Sequence, residues 1–202
     1  MTLLSNPHLR RFFSGRRRFQ IDWLFFFLLV LSARQYPHGF GVAVCFVGAA
    51  LRFMASGYLR KERKLAVGGP YAFTRNPLYL GRFIMILGAT LSVGAWALAA
   101  VMSVVFFLNY HYVIEHEELK LGTDEYFGPV YFEYKKRVPR FFPSWTPATR
   151  AELERINPDP EVYRFSMKLA MENRAIDAAV TFVGLILGMA ALVFLKKSFH
   201  WA

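Results

Sequence analysis

Three segments carry polar residue types that helix packing alone does not require. The first, GGPYAFTRNPLYLGR, covers residues 68–82. Gly69-Pro70 predicts a turn, and Pro77 suits the first turn of a helix, where its missing N–H leaves no bond unmade. Arg75 and Asn76 then sit at a helix N-terminus, where free backbone N–H groups and the positive dipole end favour an anionic group. The same residues also read as nothing more than a charged, capped helix start. The second segment is acidic, with Glu115, Glu117 and Glu118 beside His111 and His116. Two histidines and three carboxylates raise a metal site, but neither H-x-x-x-H nor HExxH spacing is present, and no metal is expected. A carboxylate holding a positively charged ligand group fits these residues equally well. The third segment is Phe127-Gly128, Tyr131, Tyr134, then Val138-Pro139-Arg140-Phe141-Phe142-Pro143. It reads as an interfacial helix with aromatic anchors and a basic face. Alternatively, Arg140 is fixed between a proline and aromatics to grip a carboxylate or phosphate bidentately.

The elements that must position these residues are apolar. The chain has 202 residues, 55% of them hydrophobic and 19% charged. The apolar content is concentrated in runs long enough for a bilayer core of roughly 30 Å, which needs about 20 helical residues. A backbone there must satisfy its own hydrogen bonds, so the runs are helices. The expected fold is all-α, an integral membrane bundle of about five spans: 19–33, 40–59, two within 78–114, and 175–195. As one helix, 78–114 would rise about 55 Å, so it must break, and residues 92–94 are the natural place. The first run follows a basic tail like a signal peptide but lacks a small-x-small cleavage site, so it is read as a retained span. Gly48, Ala49, Ala50, Ala55 and Gly57 permit close helix contact in the second run. Arg52, in the same run, either snorkels or lines a polar pocket that receives substrate. Residues 144–174 form a cytoplasmic or interfacial segment, with 161–174 expected to be an amphipathic surface helix.

The single cysteine, Cys45, allows no internal disulfide and reads as a small buried hydrophobe. The formal charge of +11 flanks the apolar runs, where anionic headgroups attract it, and no reading helix or aromatic platform accompanies it. Nucleic acid is therefore excluded as a partner. Lys and Arg number five before the first run, five in 60–77 and ten in 115–174. This bias places the N-terminus and the polar segments in the cytoplasm, in a bacterial or archaeal inner membrane.

At this point the motifs become recognisable. G-x-x-L-R at 48–52, Leu65, GPYAFTRNPLYLG, the acidic pair and FGPVYFEYKKRVPRFFP occur in order over residues 45–143. Together they resemble the isoprenylcysteine carboxyl methyltransferase family, which is close to the phospholipid methyltransferases. The resemblance implies a single membrane domain over 1–202, with a methyltransferase core at 45–143 and an additional helix at 175–195. It implies S-adenosylmethionine as cofactor without a Rossmann domain, in agreement with the absence of G-x-G-x-x-G after a predicted strand. It implies cofactor binding by Arg63, Lys64, Leu65, Ala66, Tyr71, Arg75, Asn76, Pro77, Leu78 and Tyr79. Glu117 and Glu118 would bind the cofactor too, while Tyr131, Tyr134 and Arg140 would close or support the site. The family usually has histidine where this chain has Asn76, and asparagine can neither be charged nor act as a base. An arginine that contributes to substrate binding in eukaryotic members falls here at Val113. Nothing obvious replaces it, which weakens the case for a prenylcysteine carboxylate.

The expected activity is methyl transfer to a lipid-like or isoprenoid-containing acceptor at the membrane interface. The protein would chiefly align the nucleophile and exclude water. Asn76, His111 and His116 are the catalytic candidates; Arg52, Tyr112 and Val113 are assigned to substrate. Two competing functions are an NADPH-dependent lipid or sterol reductase, using Arg137 and Arg140 for phosphate, and a non-catalytic lipid-binding protein. Partners are membrane lipids, the acceptor and, through small-residue helix faces, a second copy of the chain.

Overall fold

The computed structural model describes residues 24, 27–29, 31–33, 35–60 and 64–199, which contain helices and turns and no strand. The helices are α1 (Gly39–Tyr58), α2 (Pro77–Ser92), α3 (Trp96–Leu121), α4 (Gly128–Arg137), α5 (Arg150–Ile156), α6 (Met167–Glu172) and α7 (Ile176–Ser198). Two 3-10 turns lie at Gly69–Ala72 and Pro160–Tyr163.

Among the described residues, three helices are long and apolar enough to cross a membrane: α1, α3 and α7, of 20, 26 and 23 residues. The protein is an integral membrane protein, and the expectation of about five spans is corrected to three among the described residues. The break in 78–114 does fall at the anticipated place, with α2 ending at Ser92 and α3 starting at Trp96. That leaves α2 only 16 residues, a rise of about 24 Å against a core of roughly 30 Å. Most of the proposed first span, 19–33, lies outside the described residues.

The chain divides into two compact units. The first comprises Met1–Phe46, Phe83–His116 and Thr181–Ala202. Here Gly88 brings the α2 backbone onto α1, since a Cβ at this position would lie 2.2 Å from the Cys45 nitrogen. The turn after α2 is closed by Gly94, whose φ of 70° lies in the left-handed region, and by His38 N–H donating to Ser92 O at 2.8 Å. The Phe83 ring packs against Phe106 and Phe107 at centroid distances of 5.2 and 4.9 Å.

The second unit comprises Val47–Arg82 and Glu117–Val180. A Cβ at Gly81 would lie 2.7 Å from Gly48 O and 2.6 Å from Arg52 Cγ, so the glycine admits the other backbone and the arginine stem. The core of this unit is built from Leu65, Val67, Tyr131, Tyr134, Val138, Leu153 and Val162. Tyr131 and Tyr134 are buried in it, so α4 does not use them as interfacial anchors. Helix α5 is fixed by a capping box between Thr149 and Glu152.

The expected single helix over 161–174 is also corrected. The chain forms the 3-10 turn, breaks at Arg164, and restarts as α6 behind Ser166, whose side chain accepts from Leu169 N–H. Two interactions impose the break. Val162 is fully buried in the core, and Ser166 N–H donates to Gly57 O at 3.0 Å. A continuous surface helix would have to give up both.

Candidate functional site

The GPYAFTRN segment has little regular structure of its own and is held from outside. Ala148 N–H donates to Ala72 O at 3.1 Å, Ser144 N–H to Phe73 O at 3.0 Å, and Arg75 N–H to Pro139 O at 2.9 Å. Thr74 Oγ1 donates to Phe141 O at 2.9 Å, and the buried Tyr134 hydroxyl donates to Tyr71 O at 2.6 Å. Residues 71–76 are therefore sewn to 134–148. Helix α2 starts at Pro77, and Asn76 O accepts from the N–H groups of Tyr79 and Leu80, the carbonyl role of an N-cap residue.

Between these segments and the end of α3 lies a cavity of about 500 Å³, open mouth included. Its lining includes the expected Lys64, Leu65, Ala66, Tyr71, Arg75, Asn76, Glu117, Glu118, Tyr131 and Tyr134. Three further lining residues, Leu59, Leu121 and Phe127, went unassigned by sequence reasoning. Phe127 was visible inside its FG motif. Leu59 and Leu121 look like ordinary apolar residues at helix ends, and only the packing distinguishes them. Every lining residue belongs to the second unit.

The two adjacent glutamates have different surroundings. Glu118 is buried against Arg75, with side-chain exposures of 8% and 7%, and Arg75 Nη2 lies 2.8 Å from Glu118 Oε1. Arg75 Nε donates to the same oxygen at 3.0 Å, and Nη1 donates to the carbonyls of Lys135 and Val138 at 2.8 and 3.0 Å. Lys135 Nζ and Arg140 Nε approach the other Glu118 oxygen at 3.6 and 3.8 Å. A buried carboxylate needs this degree of compensation. Glu117 is exposed and accepts from the Tyr79 hydroxyl at 2.6 Å. Arg75 and Glu118 thus form a structural strut, whereas the Glu117 carboxylate faces an accessible part of the cavity.

The phenols supply neutral polar groups. Burial, reinforced by the charge of Glu117, pushes the Tyr71 hydroxyl well above the usual tyrosine range. Burial does the same for Tyr131, followed by the charge of Glu118, and for Tyr134. All three stay protonated near neutral pH. The Tyr71 hydroxyl is buried and has no hydrogen-bond partner among the described residues, an arrangement that burial penalises unless a ligand completes it.

Other expected residues fall elsewhere. Asn76 Nδ2 donates to Arg140 O at 2.8 Å, tying the asparagine amide to the wall. Lys64 is paired with Asp159 at 2.7 Å and Glu161 at 2.6 Å, and both partners raise its pKa. Pro77, Leu78, Tyr79 and Arg140 do not line the cavity, although Tyr79 and Arg140 reach it through Glu117 and Glu118. Arg63 lies outside the described residues. His111, His116, Tyr112 and Val113 belong to the first unit, and neither they nor Arg52 line the cavity. Among the described residues no group of three His, Cys, Asp or Glu side chains converges as metal ligands.

Comparison with known proteins gives this geometry a context. The family described as Phospholipid methyltransferase matches residues 40–128. The chain is 34% identical over 105 residues to the nickel-cobalt-cadmium resistance protein NccN of Alcaligenes xylosoxydans xylosoxydans, covering 51% of this chain and 46% of that protein. It is 30% identical over 96 residues to a Protein-S-isoprenylcysteine O-methyltransferase of Schizosaccharomyces pombe, covering 48% of this chain and 40% of that one. The chain thus spans less than half the length of either curated relative. No solved structure matches it significantly. The matched region contains Tyr71, Arg75, Asn76, Glu117 and Glu118 and stops before Tyr131. Residues 40–128 thus match the phospholipid methyltransferase model, and a stretch of 96 residues is similar to an isoprenylcysteine methyltransferase.

Proposed function

We propose that the protein is an S-adenosylmethionine-dependent methyltransferase acting on a lipid-like acceptor at the membrane interface, with the cavity of the second unit as its cofactor site. One observation carries this reading: the Glu117 carboxylate and the unpartnered Tyr71 hydroxyl border one apolar-walled cavity built from the motif residues. The residues suit the cofactor. A carboxylate favours its cationic amine or sulfonium, the phenol completes a hydrogen bond, and Leu59, Leu65, Leu121 and Phe127 offer apolar walls.

When bound, the cofactor supplies an activated methyl group. Glu117, oriented by Tyr79, holds positive charge. Tyr71, kept neutral by burial, contributes a fixed dipole that needs no reorganisation. The apolar walls exclude water. Asn76 carries no charge, and its amide already serves the Arg140 carbonyl, so it does not act as a general base. The acceptor therefore brings its own nucleophile, either an ionised carboxylate or a neutral amine. In this reading the second unit faces the cytoplasm, where the bias of Lys and Arg puts it.

The arginines on which a phosphate-binding reductase would depend are taken up internally. Arg137 is bound by Glu152 at 3.0 Å, and Arg140 approaches Glu118. Calorimetric titration of the detergent-solubilised protein with S-adenosylmethionine tests the proposal, with NADPH as the alternative titrant and Glu117→Ala as control. Saturable binding of the methyl donor that weakens in the variant supports it. Binding of NADPH alone, or of neither by folded protein, overturns it.

A further inference from the structure

An aromatic surface unrelated to the cavity chemistry lies on the second unit. Trp145 is 101% exposed, Phe142 65% and Phe73 45%. The three belong to two loops joined by the bond from Ser144 N–H to Phe73 O at 3.0 Å, so Phe142 and Trp145 flank a residue bonded directly to the third. Such a concentration of large aromatics on an exposed loop pair calls for a covering phase.

Part of the backbone beneath these rings is bonded inward. Pro143 and Pro147 have no N–H to satisfy. Ser144 donates to Phe73 O, Ala148 to Ala72 O, and Thr146 N–H to Ser144 Oγ at 3.2 Å. The Ser144 hydroxyl returns a bond to Thr146 O at 2.8 Å. The carbonyls of Arg140 and Phe141 accept from Asn76 and Thr74. A loop entering a less polar medium must turn its polar groups inward in this way.

Location identifies the medium. Phe73 lies four residues before Pro77, where the apolar helix α2 begins. Gly81 packs against Gly48 and Arg52, and Gly88 against Gly41 and Cys45, of the membrane-crossing α1. Helix α2 therefore runs antiparallel to that span, and its start lies level with the span's end near Tyr58. Tryptophan and phenylalanine at that level match the chemistry of the headgroup–acyl boundary.

We infer that loop 141–146, together with Phe73, is a wedge that inserts into the headgroup–acyl boundary of the bilayer. It seats the neighbouring wall residues Arg75 and Asn76 at the depth of the lipid headgroups. The inference does not depend on the reaction proposed above.

The test uses full-length protein with Trp145 as its single tryptophan, the other three being replaced by Phe. The protein is placed in nanodiscs of phosphatidylcholine and phosphatidylglycerol. Expected are blue-shifted emission, strong quenching by lipids brominated near the headgroup end of the acyl chain, weaker quenching by deeply brominated lipids, and little quenching by iodide. Emission that iodide quenches and brominated lipid does not would put the loop in water and overturn the inference. Protection from both quenchers, with a crosslink between copies, would assign the patch to a second chain and overturn it as well. Should the tryptophan replacements prevent folding, a spin label on Trp145→Cys gives the same decision. Preferential collision with oxygen supports insertion; preferential collision with a soluble nickel chelate refutes it.

Discussion

Arg75 and Glu118 form an ion pair 2.8 Å apart with both side chains more than nine-tenths buried, while the neighbouring Glu117 is exposed and accepts from the Tyr79 hydroxyl at 2.6 Å. Two adjacent glutamates thus carry separate burdens. Removing one partner of a buried pair leaves the other charge uncompensated, at a cost of about 3–5 kcal/mol. Glu118→Gln and Arg75→Met are each expected to lower the unfolding midpoint in detergent substantially. The double variant Arg75→Met/Glu118→Leu should recover part of the loss, as a double-mutant cycle would read.

Glu117→Gln has the opposite profile. It leaves the strut intact, so thermal unfolding should be nearly unchanged. Loss of a charge-assisted hydrogen bond of about 1.5–3 kcal/mol weakens binding of S-adenosylmethionine roughly 10- to 100-fold. Equal affinity in calorimetry would remove Glu117 from the cofactor site.

Tyr71→Phe separates folding from binding in another way. The Tyr71 hydroxyl has no partner among the described residues, so its deletion should leave stability unchanged or slightly raised. Cofactor affinity should fall by about 1 kcal/mol, roughly fivefold. A marked loss of stability would mean that the hydroxyl has a structural role.

Glu152 provides a pH-dependent test. Its bond from Arg137, followed by those from Thr149, holds its carboxyl at about 2, against 4.5 for an ordinary glutamate. Because the folded value is depressed, this contribution is present above 4.5 and disappears as pH falls toward 2. Glu152→Gln should therefore destabilise the protein at neutral pH, and its melting temperature should converge on that of the parent across the acid window. Parallel curves would show that Glu152 is not the titrating group.

Gly88 gives a packing test within the first unit. A side chain there would have to occupy space 2.2 Å from the Cys45 backbone nitrogen, which no rotamer relieves. Gly88→Val should cost about 1–3 kcal/mol by overpacking, whereas Gly184→Ala, in open space, should be nearly neutral. Thermal unfolding of both variants decides it.

The residues gathered at the cavity were legible because their types are unusual beside a membrane helix: a Gly-Pro turn, Arg-Asn-Pro, paired glutamates and spaced tyrosines. Their division of labour was not legible. Glu117 and Glu118 are identical in sequence terms and differ in burial and in partners: Arg75 reaches Glu118, and Tyr79 reaches Glu117. The bond that ties the Asn76 amide to a carbonyl 64 residues away has no signal in the sequence. His111 and His116 drew attention as titratable groups near the acidic pair, and helix α3 carries them into the other unit. The count of about five spans exceeds the three found among the described residues in part because hydropathy registers apolar runs, whereas α2 stops after 16 residues; most of the run 19–33 lies outside those residues. The helix expected over 161–174 failed because a run's amphipathic pattern does not reveal that Val162 is drawn into a distant core.

The long reach of the bonds that brace the cavity wall has a consequence for the order of assembly. Asn157 Nδ2 donates to Leu65 O across 92 residues, and Asn173 Nδ2 donates to Leu59 O across 114. Contacts so distant along the chain close only after the intervening entropy has been lost, so they form late. During synthesis, α1 and α3 emerge and can settle in the bilayer while Leu59 and Leu65 still lack these partners. The cavity wall is braced only when residues 157–173 leave the ribosome, so two of the three membrane-crossing helices, α1 and α3, are in place before the chain has a site to offer.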